Sequence, residues 1–470
     1  MKSIIEQLVD FGTGVKYDTL PKDVAHESKR ILLDSIGCAL AGLSIDKGKI
    51  AVRIARELGG PAEARIIGNS GRVSASSAAL ANGELINALD YDACTIPPGH
   101  VTPYVLPAAL AMAEKNRATG KSLICAIAAS HEVAARFGPA MAYYRDIKPG
   151  EKISFPPVSG FSSTIFGGTL GAGMVMGLDS QRLAYAMGIA GLIAPTQSNT
   201  KWARTLPAST PKYVMAGCIS QTEILSLMLA EGGYTGDTEV LETEFGFWRF
   251  IGSSKWNPDV ITDKLGKEWK MLGVTIYKPY PHCRITHTIL DCFYHLAEVN
   301  HLDPEEIEEV KTYADPHCVA LPLWQNRNIK TPIDAQMSVP FAISAAANRI
   351  TIGPEWQDMK TITDKNVIAF MDKVQVLPHP DFEKSLQSDP SSRIGKVEIK
   401  ARGKTFSEER KHRKGSPATK ETRMTDAELI AKFKHNAARV LPADAIEKIP
   451  GMILKLEDVN DVSQAAQIWS

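Results

Sequence analysis

Residues 74–92 read SASSAALANGELINALDYD. Ala, Ser and Gly recur here at helical spacing, and a helix faced with such small side chains lets its neighbours approach closely. The same theme runs on both sides. Upstream, DVAHESKRILLDSIGCALAG (23–42) puts Ala25, Ser28, Ile31, Leu32, Ser35 and Ile36 on one face, with Gly42 as a stop. Downstream, VLPAALAMAEKNRATG (105–120), SLICAIAASHEVAARFG (122–138) and TEILSLMLAEGGYTG (222–236) are helices that end near glycine. Helices apolar nearly all round belong inside a helical domain.

Beyond residue 270 the pattern changes. EEVKTYAD (308–315), KVQVLPHP (373–380) and GKVEIKARGKTFSEERK (395–411) alternate with period two, and ARGKT reads as a hairpin turn. THTILDCFYHLAEVN (286–300) and AQMSVPFAISAAAN (335–348) are helical between them. The tail MTDAELIAKFKHNAARV (424–440) opens on the capping signal Thr425-Asp426 and returns to helix. The expected fold is mainly α: a large all-helical domain over 1–270, completed by 406–470, plus a smaller α+β lid domain over 271–405.

The chain has 470 residues, 44% hydrophobic and 23% charged, as in a water-soluble globular protein of two or three domains. Lys+Arg and Asp+Glu are equal at 53 each, so no global field draws in nucleic acid or an anionic membrane. Seven scattered cysteines without C-x-x-C point to a reducing compartment rather than a disulfide framework. The N-terminal stretch is not a secretory signal, and the longest uncharged run, 153–178, is too rich in Pro, Ser and Gly for a lipid-facing helix. A cytoplasmic location is expected.

The glycines of GGTLGAGMVMGL (167–178) lie within an apolar helical pattern with no strand before them, so they read as close packing rather than a nucleotide cradle. His282-Cys283 and His317-Cys318 lack the spacing that puts two ligands on one ion, and G-x-S-x-G is absent. No metal and no cofactor are expected. Instead, cations gather in otherwise apolar sequence: Lys201, Arg204 and Lys212, then Lys278, His282, Arg284 and His287. Such groups suit a small polycarboxylate, with the cations neutralising it and a histidine moving a proton. Residues 88–107, ALDYDACTIPPGHVTPYVLP, add Asp90 and His100 around a Pro-Pro-Gly bend.

Taken in order, LLDSIGCALAG, ANGELINALDYD with the following histidine and VLPAALAMAE, KPYPHCRITH, IDAQMSVPFAI and KGSP with MTDAELIAKF resemble the MmgE/PrpD family. That family includes 2-methylcitrate dehydratase, cis-aconitate decarboxylase and iminodisuccinate epimerase. The resemblance implies a cofactor-independent site between a helical domain and a lid, usually in a homodimer. Its chemistry is proton transfer beside a carboxylate. Asp90 matches the first aspartate of L-D-x-D, His100 the histidine before V-L-P, and Lys212 the lysine ahead of the helix ending in GGY. Lys278 and His287 match the segment K-x-Y-P-x-C-x-x-x-H. Three departures stand out: Ser162 and Ala216 replace family histidines, and Asp92-Ala93-Cys94 replaces D-D-T.

The expected activity is therefore a lyase or isomerase acting on a di- or tricarboxylate, with a 2-methylcitrate dehydratase-like reaction as the nearest label. Decarboxylation and racemisation or epimerisation are the alternatives within the class, and a non-catalytic polycarboxylate binder the alternative outside it. Lys212, Lys278 and Arg284 would clamp carboxylates, His100 or His287 would be the acid/base, and Asp90 would orient an imidazole. Cys94, Ser162, Lys201, Arg204 and Cys283 complete the expected lining, the two cysteines as small buried side chains rather than nucleophiles. Two simpler readings compete: Asp90 as a turn cap, and His287 as a helix N-terminal residue bonded to backbone.

Overall fold

The computed structural model describes residues 2–142, 160–196, 199–212 and 214–470, so the first part of the uncharged run 153–178 lies outside the described residues. The helices of the N-terminal half are α1 (Ile4–Gly14), α2 (Lys22–Gly42), α3 (Asp46–Leu58), α4 (Ala75–Ile86), α5 (Thr102–Lys115), α6 (Gly120–Ala140), α7 (Thr164–Met176), α8 (Ser180–Leu192), α9 (Asn199–Trp202) and α10 (Ala216–Glu231). They pack helix on helix: α4 lies against α3, α5 and α10, and α7 against α5, α6 and α10. Polar caps start several of them, with Ser74 accepting from the Ser77 amide and Thr119 from the Ser122 amide.

The glycines of α7 explain how close that packing is. A Cβ on Gly167 would lie 2.4 Å from the Ser130 carbonyl oxygen on α6, and one on Gly168 would lie 1.9 Å from Glu223 Oε1 on α10. Gly177 differs from the sequence expectation: it takes a left-handed φ of 77° and ends the helix instead of lying inside it.

Helix α2 is buried along most of its length, and its charges are matched by the C-terminal segment. Lys29 pairs with Glu457 at 2.9 Å, and Asp34 with Lys432 at 2.7 Å. Lys432 lies on the helix Asp426–Ala437, which starts with the full Thr425/Glu428 capping box. One hydrophobic core thus joins residues from Ile5 to Tyr277 with others from Met424 to Trp469. A second core runs from Trp202 to Ala401. The fold is a large helical domain with a smaller α+β domain.

Short strands punctuate the helical part: β1 (Ala64–Arg65) with β2 (Arg72–Val73), then β3 (Cys94–Thr95), β4 (Gly99–His100) and β5 (Thr275–Ile276). The α+β part holds β6 (Ile307–Ala314), β7 (Val374–Pro378), β8 (Gly395–Ala401) and β9 (Lys404–Arg410). Their sheet order is β7-β6-β8-β9, with β6 and β7 parallel and the other pairs antiparallel. Val397, Ile399 and Ala401 alternate inward from β8, and the helix His287–Val299 packs on that strand. Arg402 and Gly403 both take positive φ, the two-residue hairpin geometry expected from ARGKT. No helix among the described residues is long and apolar enough to cross a membrane.

Candidate active site

Helix α4 stops at Ile86, and Asp90 turns the chain with a left-handed φ of 54°. The bend Ile96-Pro97-Pro98, both of whose X-Pro bonds are cis, then folds β4 back on β3. In this antiparallel pair Cys94 stands opposite His100. Cross-strand partners share a face, and so does a residue two positions along, which places Asp92 beside them. The other edge of β3 pairs with β5, Cys94 opposite Ile276, two residues before Lys278. The small β4-β3-β5 sheet therefore stitches the bend to the segment that leads into Lys278.

The result is a buried polar cluster. Lys278 Nζ donates to Asp90 Oδ2 at 2.7 Å and to the Asp90 carbonyl at 2.6 Å, and Lys212 Nζ donates to Asp90 Oδ1 at 2.9 Å. His100 Nδ1 is 2.6 Å from Asp92 Oδ2, while its Nε2 is 3.4 Å from Asp90 Oδ1. Asn87 Nδ2 donates to Asp92 Oδ1 at 3.2 Å. Next to Met337 of the second core, Gln336 Oε1 accepts from Lys212 at 2.8 Å, and its Nε2 reaches Ala88 O and Gln357 Oε1. Gln357 in turn donates to the Leu89 and Pro281 carbonyls. Lys432 closes the back by donating to Tyr91 O at 2.8 Å, and Asp34 Oδ2 accepts from the Ala93 amide.

Charge explains the protonation states. Burial alone would raise the Asp90 carboxyl, but Lys212, Lys278 and His100 outweigh it and hold it well below the usual range. Burial also pushes His100 down, yet Asp92, Cys94 and Asp90 lift it above an ordinary imidazole. The two lysines part company. Burial brings Lys212 down to about 8, with Lys47 and Lys278 adding to the effect against Asp90. Lys278 is raised despite burial, because Asp90, Cys94 and Asp92 all face it. Cys94 is lowered, the pull of His100 and Lys278 exceeding the penalty of burial. An imidazolium between two carboxylates, flanked by two ammonium groups, can deliver a proton to a carbon whose negative charge the lysines stabilise.

The structure thus brings together Asp90, His100, Lys212, Lys278 and Cys94. Arg284 is buried close by, its Nη1 about as near as 3.5 Å to a Cβ built on Gly99. Cys283 is buried too, its amide donating to Gln336 O at 2.8 Å. Ser162 is buried in the turn Phe161–Ser163, and its hydroxyl donates to Pro195 O. Lys201 and Arg204 are exposed, outside this cluster. His287 begins its helix, and its Nε2 bonds the His282 carbonyl at 3.0 Å, the backbone-bound arrangement weighed from the sequence. Burial and Lys278 hold it well below an ordinary imidazole. Both Asp90 carboxylate oxygens accept from lysines, which makes it part of the charge cluster.

Asp92, Asn87, Gln336, Gln357 and Lys432 also build the cluster, although none of them was a candidate from the sequence. Alternation of Asp90 and Asp92 was a usable signal for the first. The glutamines act across long sequence separations, which no local pattern encodes.

Comparison with known proteins agrees with this organisation. The model of the MmgE/PrpD N-terminal domain matches residues 6–259, and that of the C-terminal domain matches residues 280–458. Cis-aconitate decarboxylase of Homo sapiens is 25% identical over 484 residues, covering 98% of this chain and 94% of that protein. The Aspergillus terreus protein of that name is 23% identical over 492 residues, covering 99% and 95%. That of Mus musculus is 23% identical over 483 residues, covering 98% and 92%.

Proposed function

The chain belongs to the MmgE/PrpD family, and from that premise we propose that it is a carboxy-lyase acting on cis-aconitate or a closely similar tricarboxylate. That it is a lyase follows from the family and its relatives. The relatives' names favour decarboxylation over the dehydration expected from sequence.

One observation carries the reading: His100 is held between two carboxylates beside two buried ammonium groups. Decarboxylation breaks one C–C bond, releases CO2 and leaves an electron pair that must be delocalised and then protonated. In an unsaturated tricarboxylate the pair spreads through the adjacent double bond towards a neighbouring carboxylate. Lys212 and Lys278 stabilise that developing charge. His100 then gives its proton to carbon, forming the C–H bond. Dehydration would need a base at carbon and a separate acid at the departing hydroxyl. A single imidazole paired with carboxylates suits the one-proton reaction better, and Ser162 adds no titrating group near neutral pH.

The test is CO2 release and product formation from cis-aconitate by the purified chain. Turnover is expected, falling by roughly 10²–10⁴-fold in His100→Gln. No CO2 from cis-aconitate, with water lost from a 2-methylcitrate-type acid instead, would return the reading to dehydration.

A further inference from the structure

The hairpin that builds the site also sets Cys94, a thiol that proton transfer does not require, beside His100 and Asp92, which it does. His100, Asp92 and Cys94 each offer one ligand atom, these atoms lie within 4.8 Å of one another, and all three residues are buried. His100 Nδ1 is 2.6 Å from Asp92 Oδ2 and 3.8 Å from Cys94 Sγ. We propose that Asp92, Cys94 and His100 form a three-ligand site for a zinc-class divalent ion, and that its occupancy takes His100 out of proton transfer.

Cys94 and His100 are direct antiparallel partners, so their side chains leave the ribbon on one face, and Asp92 precedes Cys94 by two residues. Tetrahedral zinc with bonds of about 2.0–2.3 Å holds its donors roughly 3.3–3.8 Å apart. The Sγ–Nδ1 spacing already fits, and Nδ1 and Oδ2 need to separate by less than about 1 Å as the ion replaces the proton between them. Thiolate, imidazole and carboxylate form a borderline-soft set that selects zinc-class ions over magnesium or calcium. A thiolate and a carboxylate together neutralise the ion's two charges.

The surrounding groups are those a ligated histidine and carboxylate use. With Nδ1 on the ion, the remaining N–H at Nε2 points to Asp90 Oδ1, 3.4 Å away. Asp92 Oδ1, the oxygen left over, accepts from Asn87 Nδ2 at 3.2 Å. The fourth position is left to water or to a substrate carboxylate. Binding displaces the protons on Sγ and Nδ1; the N–H left at Nε2 belongs to a neutral, metal-bound imidazole, a far weaker acid than imidazolium, so a filled site does not protonate carbon.

The binding half of this proposal needs no substrate, while the inhibitory half rests on the proposed reaction; the two therefore fail separately. The full chain is dialysed free of metal and titrated with Zn2+ against a chromophoric chelator, and in parallel with Co2+. One ion per chain is expected, with a dissociation constant of about micromolar or tighter. The Co2+ form should show a thiolate-to-metal charge-transfer band. Cys94→Thr should lose that band and weaken Zn2+ binding by about tenfold or more. Cys218→Ser, which alters the one cysteine that is not buried, should retain both. Wild-type protein that binds no stoichiometric ion, or binds Co2+ without the band, overturns the site even if the Cys94 variant does not fold. A band that survives in folded Cys94→Thr overturns it as well. Where turnover is measurable, one equivalent of Zn2+ should abolish it and a chelator restore it; bound zinc with unchanged turnover overturns the inhibitory half.

Discussion

Lys212 is the residue through which pH should act on the reaction. Burial lowers its ammonium to about 8, and its role as a cation is lost as pH rises through that value. The expected kcat/KM profile falls above about pH 8. In Lys212→Arg that limb should move up by more than a unit, since guanidinium does not titrate there, even if the rate itself drops. Glu223 on α10 sets a different pH dependence. Its carboxyl is fully buried, both oxygens lack a hydrogen-bond partner among the described residues, and burial raises it well above an ordinary carboxyl. Below the unfolded value near 4.3 both states hold the proton; above it only the folded state does. Stability should therefore fall as pH rises from about 4.3 towards the folded value, by up to about 1.4 kcal/mol per pH unit from this group. Urea unfolding of Glu223→Gln between pH 4.5 and 8 should lack that component and leave the variant gaining on the wild type as pH rises.

At the scale of elements, the hairpin β3–β4 gains its precision from what lies behind it. The helix Asp426–Ala437 sends Lys432 to Asp34 at 2.7 Å and to the Tyr91 carbonyl, and its ammonium stands 3.9 Å from the centre of the Tyr91 ring. Lys432→Met leaves Asp34 as an uncompensated buried charge, which should cost about 3–5 kcal/mol in urea unfolding. Combining it with Asp34→Asn should recover part of that loss. The helix carrying Lys432 was legible in the sequence, because Thr425 and Glu428 announce its start. Its partner was not: Lys432 and Asp34 are 398 residues apart, a separation that no local pattern spans. The glycines of α7 read correctly as packing because periodicity is local, whereas the buried acid they pack against carried no local sign.

Across the whole molecule, one core encloses both ends of the chain and the other supports the sheet, while the polar cluster joins side chains far apart in sequence, as Lys212 with Gln336. Asp90, His100, Lys212 and Lys278 could be picked from the sequence by their match to the family's motifs, whereas charge embedded in apolar sequence alone also picked Lys201 and Arg204, which are exposed. Which of His100 and His287 faces the carboxylates was decided only by the hairpin register and by the turn that ties His287 to the His282 carbonyl. In the proposed reaction two lysines hold the charge while His100 delivers one proton to carbon. Proton NMR of cis-aconitate turned over in D2O tests it most directly. The expected product has lost one carboxylate as CO2 and carries a single deuterium on the carbon that accepted the proton. Unchanged carbon skeleton, whether with deuterium exchange alone or with water lost or added, would contradict it.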